Sequence, residues 1–228
     1  MDQDDIRLEF VSFIMAYPSL PRFPTGSPAE FFAKVQAAHD FEAFEQQSDV
    51  SATLSTEARR RLDITRNELR FEATASDYID VLRRDVTSLM EEVLRHFQIR
   101  TFILPEVTMR AIWQAPPESN DVGDFLQDRV SISEETKALL GEVTGLSMTF
   151  AGHTALDASP DRHWDVEIAP YLRDRDRRSI WIQSATKFMV PYDGASSVDQ
   201  CLSICYTFLK ENVIPFLNRV FEAEAEGG

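Results

Sequence analysis

His163, Asp165 and Glu167 alternate with Trp164, Val166 and Ile168. On a strand, a side-chain period of two sends the first three to one face and the apolar three to the other. Successive members then stand roughly 6–7 Å apart at Cα, which suits two of them to one divalent cation or to an acid and base pair. The solvated face of an ordinary strand has the same alternation, and His153, Asp157 and Asp161 nearby complete no recognised ligand spacing. Ser184 and Lys187 match Ser-x-x-Lys, but that chemistry needs both side chains on one helix face. On a strand an offset of three parts them, which excludes the reading. Cys201 and Cys205 sit four apart among Val198, Leu202, Phe208 and Leu209, a buried helical stripe in which thiols act as small hydrophobes. A redox pair or half of a metal site is the alternative.

The binding candidates are Trp113, Trp164, Trp181, Arg173 and Arg175. All three tryptophans fall on expected strands, where they either fill the core or line a recognition surface. The run Arg173 to Arg178 alternates in sign, so it is either a self-neutralising hairpin tip or a basic point for a phosphate or carboxylate. His39 and His96 lie in charged helical company and read as surface or edge residues. No nucleophile elbow, phosphate loop or dinucleotide fingerprint is present, and no cofactor is expected.

The elements that must position these residues follow from periodicity. Ile6 to Tyr17 reads as a strand, and Ser27 caps a helix whose apolar period runs Phe31, Phe32, Val35, Ala38, Phe41, Phe44. Residues 47 to 58 read as a loop, and Leu62, Ile64, Leu69 and Phe71 as a hairpin turning at Arg66-Asn67 or as one bent strand. Ile79 to Phe97 carries the clearest helical stripe: Leu82, Val86, Leu89, Met90, Val93 and Leu94. A strand from Phe102 to Trp113 follows, with Pro105 marking a bulge or an edge. Short helices are expected near residues 122–128 and 133–143. Three strands near 146–150, 164–168 and 180–190 should form an antiparallel meander, closed by a helix from Ser196 or Ser197 to Phe221 that kinks at Pro215.

The chain has 228 residues, 43% apolar and 27% charged, with a formal net charge of -15. Such a field repels phosphate backbones and anionic lipid surfaces, so neither general nucleic-acid binding nor membrane binding is expected. The acidic start, Met1-Asp2-Gln3-Asp4-Asp5, does not suit a secretory signal, and no apolar run reaches the length of a membrane span. A cytoplasmic location is expected. Arginine outnumbers lysine 19 to 4, a bias associated with GC-rich bacterial genomes.

Leu62 to Phe71, Tyr78 opening a helix, Val107-Thr108-Met109-Arg110-Ala111-Ile112-Trp113 and Asp124-Phe125-Leu126 together resemble a sporadically distributed bacterial protein family of unknown function. Met109-Arg110-Ala111 stands where that family has Leu-Arg-Tyr, and its Asn is absent. The resemblance implies a fold and a bacterial origin and supplies no catalytic residue. In acidity, and in antiparallel strands backed by long helices, the chain is also similar to the bacterial export chaperone SecB, at the level of fold analogy.

These readings predict a single α+β domain over 1–228, with antiparallel sheet covered on one face by long amphipathic helices. Two pseudo-repeated strand-helix halves, 1–98 and 99–221, would precede an acidic tail over 222–228 that is expected to fray. The expected function is non-catalytic binding of a protein or peptide, as an adaptor, chaperone-like or regulatory partner, with a homodimer as one arrangement. The alternatives are a metal-dependent enzyme using His163, Asp165 and Glu167, and a small-ligand carrier with a cavity between sheet and helices.

Overall fold

The computed structural model describes residues 6–20, 27–48, 51–56, 60–74, 79–115, 122–123, 147–156, 159–175 and 178–225. One antiparallel sheet of nine strands organises them in the order β2-β3-β4-β5-β1-β6-β9-β8-β7. Its centre pairs β1 (Ile6–Ala16) with β6 (Phe102–Gln114). On the β1 side lie β5 (Glu68–Thr74), β4 (Arg60–Thr65), β3 (Ser51–Ser55) and β2 (Ala43–Ser48). On the β6 side lie β9 (Ser179–Tyr192), β8 (Ser159–Pro170) and β7 (Met148–Leu156), the expected meander.

A bulge sets which side chains each face receives. The β1 to β6 register shifts between Leu8 and Phe10, so Leu8, Val11, Phe13 and Met15 are all buried although they do not keep one parity. The extra residue turns Phe10 to the opposite face, beside Arg110. A register shift between Leu104 and Val107, which spans Pro105, shows the expected bulge there, and the central place of β6 excludes the edge alternative.

Helix α1 (Ser27–Val35) is shorter than its apolar period, because the chain reverses through Asp40, whose φ is 56°. Phe44 belongs to β2 and stacks on Phe32 at 5.4 Å, so the helical spacing was carried through a turn. The expected loop over 47–58 contains all of β3 and the end of β2. β2 is the edge strand and β3 lies next to it, and their Ser, Thr and Gln look like loop composition.

Helix α2 (Ile79–His96) buries Leu82, Val86, Leu89, Met90 and Val93. It packs against α3 (Ala195–Phe208), which also contacts β6 and β9. Gly194 caps α3 with φ 70°, so the helix starts at Ala195, one residue before the expected Ser196. The kink expected at Pro215 takes the form of a π-helical turn, Leu209–Val213, before α4 (Ile214–Ala225). There the Ile214 N–H bonds the Leu209 carbonyl, and the widened turn makes room for a proline that has no N–H to donate. Of the two short helices expected between β6 and β7, only Val122 and Gly123 fall within the described residues, and both are helical.

His39 is not a surface residue. It is 3% exposed, and its Nδ1 lies 2.8 Å from Asp85 Oδ1 on α2, while Asp85 Oδ2 pairs with Arg60 of β4. Desolvation would raise the Asp85 pKa, but the His39 hydrogen bond and the Arg60 charge outweigh it and hold the carboxyl below its usual value. This trio ties α1's following turn, α2 and the sheet together. His96 is half-buried, with Nε2 3.0 Å from Ser27 Oγ.

Candidate functional site

Two grooves lie on opposite faces of the sheet, and the three tryptophans divide between core and grooves. Trp113 pairs with Ile180 under the helices and is 2% exposed, so it is core. Trp164 projects from β8 toward the terminal helices, and Trp181 from β9 to the other face.

The helix-side groove, about 260 Å³, is lined by Phe150 of β7, Trp164, Val166 and Ile168 of β8, and Phe208, Asn212, Val213 and Phe216 of the terminal helices. Phe150 stands opposite Val166 in register, and Gly152 opposite Trp164. A Cβ on Gly152 would stand 2.6 Å from Trp164 Cε2, so only glycine lets the indole lie flat across β7. Trp164 meets Phe208 at 5.1 Å, and Phe150 meets Phe216 edge-on at 5.4 Å. In an unbroken α-helix the eight residues from Phe208 to Phe216 would overshoot two turns by roughly 80°. The wide turn between them removes part of that overshoot, which keeps both rings on the groove. Phe150 and Phe216 remain 37% and 41% exposed, and the wall carries no charged side chain.

The open-face groove, about 540 Å³, is lined by Arg7, Leu8, Glu9, Phe10, Thr74, Arg110, Tyr171, Arg173 and Trp181. Its floor is a row across the sheet. Phe10 faces Arg110 in register, with the guanidinium 4.7 Å from the ring centroid. Arg110 Nε donates to Gln183 Oε1 at 2.7 Å, and Gln183 is in turn opposite Glu167. Arg7 donates to Glu9 at 2.9 Å from one rim. The other rim is the β8 to β9 turn. There Asp174 accepts bonds from the Arg178 N–H at 3.1 Å and the Ser179 hydroxyl at 2.6 Å, so this carboxylate braces the turn. Arg173 reaches the groove; Arg175 is exposed on the same turn and does not line it.

The sequence thus named Trp181 and Arg173, which the fold brings together. It missed Arg7, Arg110 and Phe10, whose meeting depends on β1 lying beside β6 and on a bulge that no local pattern announces. His163, Asp165 and Glu167 share the open face as expected for alternation on β8, opposite Lys187, Ala185 and Gln183. Among the described residues, no three His, Cys, Asp or Glu side chains gather closely enough to hold a metal ion. Ser184 is buried on the helix side and Lys187 is exposed, so the Ser-x-x-Lys match has no chemistry. Cys201 and Cys205 are buried, and that burial pushes their thiols up to about 11 and about 12, away from reactive thiolate.

No protein-family model and no curated protein matches the chain. Among the described residues, no helix is long and apolar enough to cross a membrane.

Proposed function

We propose that this chain is a non-catalytic binding protein of a bacterial cytoplasm whose ligand is a protein or peptide segment, held by an apolar anchor in the helix-side groove. The observation that carries this reading is the uncharged aromatic wall of Phe150, Trp164, Phe208 and Phe216, left partly exposed in a chain whose net charge is -15. The net negative charge of the chain favours an anchor flanked by Lys or Arg. Size favours a side chain over a whole small molecule, because about 260 Å³ falls short of the several hundred that drug-sized ligands occupy. The placement of β1 and β6 at the sheet centre, each followed outward by its own later strands and backed by the packed pair α2 and α3, supports reading the chain as two strand-helix halves.

The test is selection of peptides from a display library on the full chain, with counter-selection on Phe216→Asp. A selected peptide, labelled and titrated by fluorescence anisotropy, should lose about tenfold or more in affinity on Phe216→Ala, as a truncated anchor pocket does. Failure to select any peptide, or equal binding to both proteins, refutes the reading.

A further inference from the structure

The open-face groove differs from its surroundings in charge, and the difference has chemical content. Three guanidinium groups, Arg7, Arg110 and Arg173, converge on one cavity with a single carboxylate, Glu9, in a chain that carries 38 acidic residues against 23 basic ones. Glu9 is engaged by Arg7. Arg110 is held from two sides, by the Phe10 ring beneath it and by Gln183 at Nε, which fixes the guanidinium while its Nη groups have no other hydrogen-bond partner among the described residues. A guanidinium fixed in this way has a fork of donors set for an oxyanion at little further entropic cost. Beside it stand Trp181 and Tyr171, half-buried and lining the same cavity, and rings of that kind offer flat faces to a planar ligand. The volume, about 540 Å³, lies within the range of small-molecule sites.

We infer that this groove binds a small organic anion in which a carboxylate or phosphate is carried on a planar ring system. The oxyanion lies against Arg110 and Arg173, and the ring lies against Trp181 and Tyr171. The inference is independent of the peptide reading, since the two grooves occupy opposite faces of the sheet and share no lining residue.

Calorimetric titration of the full chain tests it with two anions, adenosine 5′-monophosphate and naphthalene-2-carboxylate, each against its neutral counterpart, adenosine and naphthalene-2-carboxamide. Inorganic phosphate is the fifth probe. Saturable binding of at least one of the two anions at one per chain is expected, with its neutral counterpart and inorganic phosphate about tenfold weaker or more. Binding of the first anion identifies phosphate as the recognised group and binding of the second identifies carboxylate; either outcome supports the site. Arg110→Ala should weaken the bound anion by about tenfold or more, the loss expected for a charge-assisted hydrogen bond. Trp181→Leu should weaken it as well, while Arg84→Ala, remote on α2, and Phe216→Asp should not. Circular dichroism melts of each variant verify folding. Absence of binding by both anions at millimolar concentration overturns the inference, as does inorganic phosphate binding as tightly as the ring-bearing anions. So does an Arg110→Ala protein that folds and binds unchanged.

Discussion

The two grooves belong to one sheet but draw on different strands, and they differ in what fixes them. The helix-side groove is assembled late in the chain, from β7, β8 and the terminal helices, and its wall is apolar apart from Asn212, with Trp164 seated over Gly152. The open-face groove draws on β1, β5, β6, β9 and the β8 to β9 turn, and its centre is held by a cation over a ring and a single directional hydrogen bond. Packing fills space but tolerates sliding, whereas a fixed guanidinium aims donors at one point. The first surface is therefore suited to a variable anchor and the second to a defined group, and perturbations of the molecule should separate them.

The largest effect should erase the difference. Leu89 lies at the centre of the α2 stripe, fully within the core that supports both faces. Leu89→Ala should cost about 2–5 kcal/mol in denaturant unfolding and weaken both binding activities through loss of folded protein. An unchanged unfolding midpoint would show that α2 is peripheral to the sheet. Next, Gly152→Val forces the Trp164 indole off β7 and should cost about 1–3 kcal/mol. It should change tryptophan emission and abolish peptide anchoring while leaving anion binding in place. Equal damage to both sites would mean that the grooves are coupled through β8 and β9.

Acid should act on the trio of His39, Asp85 and Arg60 without favouring either groove. Because the folded Asp85 pKa lies below its usual 3.8, its contribution is fully present above that pH and is lost as pH falls through the folded value. Asp85→Asn should therefore melt below the wild type at neutral pH, by about 1–3 kcal/mol, and the gap should close in scans toward pH 3. A constant gap across that range would assign the effect to packing. The smallest stability changes belong to Phe216→Ala and Arg110→Ala, both exposed, each expected within about 0.5 kcal/mol of wild type. Their value is the crossed pattern: each should remove one activity and spare the other, and a variant that lost both would merge the two grooves into one site.

What could be read from the sequence follows the same division. Alternation on β8 and β9 correctly placed Trp164 opposite to the His163, Asp165 and Glu167 row, and the turn at Arg66-Asn67 located the β4 to β5 hairpin, because these are local periodicities. The bulge at Glu9, the partner of Arg110 and the strand character of β3 depend on neighbours distant in the chain. The π-helical turn was legible only as a disturbance at Pro215. The proline names the position of the defect, and its form, a widened turn before Ile214, is seen only in the fold. One or two members of each candidate site were thus visible as residue types, and what makes each a site was a matter of register.

Strand order also has a consequence for how the chain is made. β1 is flanked by β5 and β6, so the strand that centres the sheet is synthesised before either neighbour exists. Roughly 60 residues must follow it before β5 is complete, a delay of roughly 3–12 s at ordinary rates of elongation. During that interval Leu8, Val11, Phe13 and Met15 form an apolar segment with no pairing partner. Asp2, Asp4 and Asp5 precede it and Glu9 interrupts it, charges placed where a nascent strand is most exposed to pairing with another chain. On this view the acidic residues around β1 protect the molecule during biosynthesis, a role distinct from anything they do once the sheet has closed.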